Sequence, residues 1–344
     1  MKSRKHLNSG PSGKSAAPRL PIPPRSVLAP LVGVVTLAAL SVVAFNAAIR
    51  AWIRVPKIDM NADPATYGLP FTNVLIPTAN KKNIHGWFIP ARGCRGDQTA
   101  PTLIVMHGWG ANSEMMLPLA DPFYHAGYAL LIVNARNHGA SERDSTSSAP
   151  HFAEDLESAL DWLLLQPNVD RQRIGLIGHS NGAAASLLVA SRRKEIAAVV
   201  SLAAFAHPGR IMRRYLASKS VPFVPFGWYA LSYIQRITGH RFEDIAPQNS
   251  IGDIACPVMI AHGLDDPTVP VEDAHRLHAE SRQETTRLLL VEGTHEDYEG
   301  LKHRVNEVLD FVADAMGLQQ IPNEAGETQS GAAMPSSSVL SSPL

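Results

Sequence analysis

Apolar residues are distributed along this chain in three ways, and each predicts a different kind of element. Residues 27–49 run 23 positions without a charge. As a helix, such a run is long enough to cross a hydrocarbon core of about 30 Å. A cleaved secretory signal carries an apolar region of only about 7 to 15 residues, so the length favours a retained transmembrane anchor. Residues 71–77 and 84–90 instead alternate apolar and polar positions, which predicts an antiparallel pair of strands. From Thr102 onward short, continuous apolar runs end at Met106, Val133, Gly178, Leu202, Gly263 and Val291. Helical stretches over 114–126, 152–165, 183–193, 271–280 and 303–316 separate or follow them. Strands that are apolar throughout and alternate with helices form a mostly parallel sheet covered on both faces.

The alternation stops over about 203–250, where aromatics and prolines accumulate; an insertion of that length is a candidate lid. The 344 residues thus divide into an arm over 1–26, a transmembrane helix over 27–49 and a linker over 50–70. An α/β domain over 71–317 follows, and then a tail over 318–344. The arm holds six basic residues and no acid, and the tail is polar with Ser, Gly and Pro. Both compositions predict disorder. The arm's charge places it on the cytoplasmic side and the large domain outside the cytoplasm, against the opposing pull of Arg50, Arg54 and Lys57.

Composition adds little beyond this. An apolar share of 45% supplies a sizeable core, and 31 basic residues balance 31 acidic ones, so no global charge points to a nucleic-acid partner. Cys94 and Cys256 sit in no metal-binding or CxxC pattern.

Candidate chemistry centres on Gly178-His179-Ser180-Asn181-Gly182, between an apolar strand and a small-residue helix. A serine at such a corner is held out of both elements, and glycines remove the side chains that would clash. Its hydroxyl attacks a carbonyl only when a base takes the proton. A histidine, a carboxylate to orient it and donors for the oxyanion complete such a site. The run ending at Gly263 is followed by Asp265 and Asp266, which compete for the carboxylate role. The run ending at Val291 is followed by Glu292-Gly293-Thr294-His295. Of the 14 histidines, His295 has this strand-end context together with a position after the acid. His262, just before a turn glycine, reads as a local packing or hydrogen-bonding residue. The loop after Met106 reads His107-Gly108-Trp109-Gly110, whose glycines allow backbone to approach a substrate closely.

These motifs, together with Asn134-Ala135-Arg136-Asn137-His138-Gly139-Ala140-Ser141, resemble the serine α/β-hydrolase superfamily over residues 71–317. More narrowly they are similar to its bacterial membrane-anchored esterase- and lipase-like members. Asn134 and Asn137 stand where the family's DxRGHGxS stretch carries Asp and Gly. The resemblance implies an α/β-hydrolase fold with a helical lid. It also implies Ser180 as nucleophile, His295 as base and, from the GxxDxxVP pattern laid on Gly263 to Pro270, Asp266 as the acid. The backbone N–H groups of Trp109 and Asn181 are the implied oxyanion donors, and His107 the implied buttress of its loop.

The implied reaction is hydrolysis of a carboxylic ester of an acyl or lipid-like substrate through an acyl-enzyme, with no metal or organic cofactor. Thioesters, amides and peptides use the same machinery. A catalytically idle, membrane-anchored binding protein is the alternative from another class. Seven aromatics between Phe205 and Tyr233 are expected either to cover an acyl pocket or to form the lid's own small core.

Overall fold

The computed structural model describes residues 25–56, 58–95, 98–297 and 299–318. The expected disorder of the arm and of the tail falls on residues that lie, but for a few, outside the described ones. The chain divides into two compact units, Met1–Ala48 and Ile49–Leu344.

The described part of the first unit is helix α1 (Arg25–Trp52), whose last four residues belong to the second unit. At 1.5 Å per residue α1 is about 42 Å long. Its Ala29–Trp52 segment has a mean hydropathy of 2.2. By length and composition it is able to cross a membrane, as an anchor or as a signal sequence.

The second unit is built on an eight-stranded sheet. Its strands are β1 (Thr72–Thr78), β2 (Lys82–Ile89), β3 (Ala100–Met106), β4 (Ala129–Val133), β5 (Val169–His179), β6 (Ile196–Leu202), β7 (Val258–Gly263) and β8 (Thr286–Val291). The spatial order is β1-β2-β4-β3-β5-β6-β7-β8. Only the β1–β2 and β2–β4 pairs are antiparallel; β4, β3 and β5 through β8 run parallel.

The crossovers between parallel strands carry α2 (Leu117–His125), α3 (Ala149–Leu164), α4 (Asn181–Ala190), the insertion with α5 (Pro208–Ser218), α6 (Trp228–Thr238) and α7 (Pro247–Ser250), and then α8 (Val271–Glu280). The described chain closes with α9 (Glu299–His303) and α10 (Val305–Ala315). Phe123 of α2 and Phe311 of α10 share one core cluster with Leu103, Val105, Ile177 and Val200. Alternate strand residues such as Ile104 and Leu176 point to the other face.

Several boundaries depart from the apolar pattern for identifiable reasons. β5 extends back through the polar residues 170–173 to Val169, and its pairing with β3 resumes there after a register shift. Helix α3 starts at Ala149, three residues ahead of the apolar periodicity, because Pro150 suits the first helical turn. The final helix is split at Arg304. In the insertion the buried side chains are mainly aliphatic, Leu216, Leu231 and Ile234, with Phe242. Of the seven aromatics singled out there, only Phe205 is buried, against Ala184 and Val269 rather than inside the lid. The rings do not form the lid's own core.

Candidate active site

Strands β5 to β8 are parallel neighbours, so the loops after β5, β7 and β8 open on one edge of the sheet. At that edge β5 turns directly into α4 through Ser180, which adopts φ 52° and ψ −113°. A non-glycine residue in this region is strained and persists only where its surroundings over-determine it. Close packing supplies that determination here. A Cβ on Gly178 would run into the backbone of Gly182, and one on Gly182 into the carbonyl oxygens of Met106 and His107. The Ser180 N–H is held by Leu202 O at 2.8 Å.

The structure brings Ser180, His295 and Asp266 together. Ser180 Oγ lies 2.9 Å from His295 Nε2, and His295 Nδ1 lies 2.6 Å from Asp266 Oδ2. With the carboxylate accepting Nδ1–H, Nε2 is the ring nitrogen left to accept from the serine hydroxyl, the arrangement that removes a proton as Oγ attacks. Asp265 is exposed, and among the described residues it contributes only its N–H, to Gly293 O at 3.1 Å. Asp266 is buried, and its Oδ1 accepts the N–H groups of Thr268 and Val269, each at 2.8 Å. Against the upward push of burial, the hydrogen bonds from His262, His295 and Val269 hold this carboxyl well below the usual carboxylate range.

The other two residues singled out at sequence level flank the serine. Asn181 opens α4, where a first-turn N–H has no partner within its own helix. Trp109 is half-buried in the loop after β3. Its neighbour Gly108 approaches so closely that a Cβ there would lie 3.2 Å from Ser180 Cβ. Neither the Trp109 nor the Asn181 N–H donates to an acceptor among the described residues.

Four further histidines frame the site. His262 Nε2 donates to Val269 O at 2.8 Å and stands 3.4 Å from Asp266 Oδ2, so the carboxylate lies between two imidazoles. His179 donates through Nε2 to His295 O at 2.9 Å, and the two rings are 4.8 Å apart. His138 accepts the Gly110 N–H at 3.1 Å through Nε2 and donates through Nδ1 to Arg136 O at 2.9 Å. It thereby ties the loop after β3 to the loop after β4. His107 completes that tie, bonding Gly108 O at 2.6 Å and accepting the Ala135 N–H at 3.2 Å.

Burial keeps the imidazoles of His107, His138 and His179 neutral, lowering His138 to about 4 and His179 to about 3. His262 makes the local hydrogen bond expected of it, to Val269 O, while sequence reasoning missed its approach to Asp266 and the supporting contacts of His179 and His138, whose only sequence signal was a place inside a catalytic-looking motif. The two family departures also find physical reasons. Asn137 takes a φ of 73°, which Asn tolerates better than most residues. The Asn134 side chain accepts from Ser113 N–H at 2.8 Å and donates to Ser113 Oγ at 2.9 Å.

Comparison with known proteins agrees with this architecture. A family model described as the alpha/beta hydrolase fold matches residues 101–221. The chain is 26% identical over 257 residues to the uncharacterized protein YfhR of Salmonella typhimurium, covering 70% of this chain and 82% of that one. It is 28% identical over 252 residues to the uncharacterized protein YqkD of Bacillus subtilis, covering 71% and 81%. Among solved structures it is similar to the esterase Pf2001 of Pyrococcus furiosus, with a TM-score of 0.63 at 22% identity over 77% of this chain and all of that one. The sheet order, the strand-to-helix corner at residue 180 and these matches together show that the chain has the alpha/beta hydrolase fold.

Proposed function

We propose that the protein is a serine hydrolase that cleaves carboxylic esters of acyl or lipid-like substrates from a membrane-anchored position. Ser180 attacks the acyl carbonyl, His295 takes its proton, and Asp266 orients the imidazole and stabilises the charge it acquires. The N–H groups of Trp109 and Asn181 receive the oxyanion. His295 then protonates the leaving alkoxide, and a water repeats the sequence on the acyl-enzyme. The reading rests above all on the hydrogen-bonded line from Ser180 Oγ through His295 to Asp266 at a backbone corner strained for that purpose.

α1 is read as a retained single-pass anchor, with the arm cytoplasmic and the hydrolase unit on the other side. The half-exposed aromatics of the insertion favour an acyl chain over a compact polar substrate. Hydrolysis of p-nitrophenyl esters from acetyl to long-chain acyl, by the protein and by Ser180→Ala, tests the reading. Ser180-dependent turnover that persists as the chain lengthens is expected. A strict preference for acetyl removes the lipid-like substrate, and turnover that survives Ser180→Ala removes the mechanism. Thioester and aminoacyl substrates in the same assay separate the other acyl-transfer chemistries.

A further inference from the structure

Charge balances over the whole chain, 31 Lys and Arg against 31 Asp and Glu, but not over the insertion. Residues 203–242 hold six basic residues and no acid. Three of the six, Arg210, Arg213 and Arg214, fall within α5, and all three are exposed.

Helix α5 lies on the sheet edge that carries the candidate triad. Its Ile211 packs against the cluster of Ala149, Ala184, Phe205 and Val269. Ala184 donates its N–H to Ser180 O at 3.0 Å, and Val269 donates its N–H to Asp266 Oδ1 at 2.8 Å. At 3.6 residues per turn, Arg210 and Arg214 share with Ile211 the side of the helix that faces this cluster. Arg214 reaches the acid's own loop. Its Nη2 donates to the carbonyl of Pro267, next to Asp266, at 3.3 Å.

No carboxylate neutralises these side chains. Among the described residues none of the three arginines forms an ion pair; Arg213 lies instead over the Phe223 ring at 3.8 Å. The neighbouring acids are engaged elsewhere. Asp273 pairs with Arg276 at 2.9 Å and accepts the Ala206 N–H at 3.0 Å, Glu243 stands 3.2 Å from His207 Nε2, and Asp266 holds His295. Asp265 is exposed and pairs with none of them. Positive charge of one sign beside a cleft raises the local concentration of anions. A guanidinium, with donors in a planar fork, matches the paired oxygens of a carboxylate or phosphate.

We propose that Arg210 and Arg214 recognise an anionic group, a carboxylate or a phosphate, carried by the ester that Ser180 cleaves. The inference rests on the proposed function and narrows its substrate class to acyl esters that bear such a group. The arginines bind the charged end and take no part in the bond changes at the carbonyl. Their contribution therefore falls on KM rather than on kcat.

Matched esters test this on the full chain. The parent protein, Arg210→Gln, Arg214→Gln and the double variant are assayed with neutral p-nitrophenyl valerate and with two charged esters. Mono-p-nitrophenyl glutarate carries its carboxylate at the end of the acyl chain; 4-valeryloxybenzoate carries it on the leaving phenol. The quantity read is kcat/KM for each charged ester divided by that for the neutral one. In the double variant this ratio is expected to fall about tenfold for at least one charged ester, through KM, as befits lost hydrogen bonds to a charged group. Arg214→Lys, which keeps the charge, should retain more of the ratio than Arg214→Gln. The ester that responds says whether the anion belongs to the acyl or to the alcohol side. Ratios that stay at the parent values for both charged esters, including a loss shared equally with the neutral one, overturn the assignment and leave the nucleophile standing. Absence of Ser180-dependent turnover with all the esters removes the proposed function and this inference together.

Discussion

At the corner after β5, Ser180 keeps a left-handed backbone in a turn packed too closely for a Cβ at Gly178 or Gly182, and a strand carbonyl holds its N–H. In the insertion between β6 and β7 the situation is reversed. There Phe226 and Trp228 are 51% and 61% exposed, and the buried side chains are mainly aliphatic, with Phe205 and Phe242. Strain survives only where packing allows no alternative. The corner can therefore hold a nucleophile within hydrogen-bonding reach of its base, while the insertion can change its side chains without disturbing that geometry. On the proposed function, the reaction belongs to the first region and the choice of substrate to the second.

The comparison breaks if the corner's hydrogen-bonded line is dispensable. Asp266→Asn keeps the size of the side chain but leaves a neutral amide facing His295 Nδ1. We expect kcat for ester hydrolysis to fall by about 10⁴ with KM little changed. A loss of less than tenfold would mean that the 2.6 Å contact from His295 contributes no more to turnover than a lid contact does.

Acid sharpens the contrast next. The folded-state values of His138, about 4, and His179, about 3, lie below their ordinary 6.5. The unfolded chain therefore takes up protons first as pH falls, and stability present above 6.5 is lost progressively down to the folded values. Each buried histidine contributes a slope of up to about 1.4 kcal/mol per pH unit in that window. Asp266, whose folded value is depressed, adds its loss only below its ordinary 3.8. Denaturant titrations between pH 7 and pH 4 should show stability falling, His138→Gln flattening the fall, and Trp228→Ala leaving the slope as it was.

The smallest effect is expected in the lid. Arg213 lies over the Phe223 ring at 3.8 Å, and removing the ring with Phe223→Ala should lower the ratio of long- to short-chain ester kcat/KM about fivefold, on the scale of one cation–π contact and one apolar side chain. An unchanged ratio would detach the insertion from substrate choice.

The contrast also governs what could be read without the structure. The parallel sheet was legible because its strands are apolar on both faces, and Ser180 and His295 stood out because each follows such a run; that rule left Asp265 and Asp266 in competition, and the resemblance selected Asp266. The hydrogen bonds that hold them did not. His179 reaches His295 O across 116 positions, and His138 receives the N–H of Gly110. Such backbone partners leave no residue type to recognise. In the insertion, aromatic content suggested either a pocket cover or an internal core. Which way each ring faces depends on the α5–α6 packing, and that packing left Phe226 and Trp228 outside. Helix boundaries slipped where a proline starts a turn early, as at Pro150, or where a polar strand end is held by its neighbour, as at residues 170–173.

The central claim is that Ser180 is a nucleophile activated by His295. A fluorophosphonate reacts with such a serine and carries no demand on the natural substrate. After incubation of the full chain with the reagent, mass spectrometry of its peptides should locate a single adduct on Ser180, absent in Ser180→Ala and strongly slowed in His295→Ala. A folded protein that takes no label, or takes it on another serine, would contradict the account.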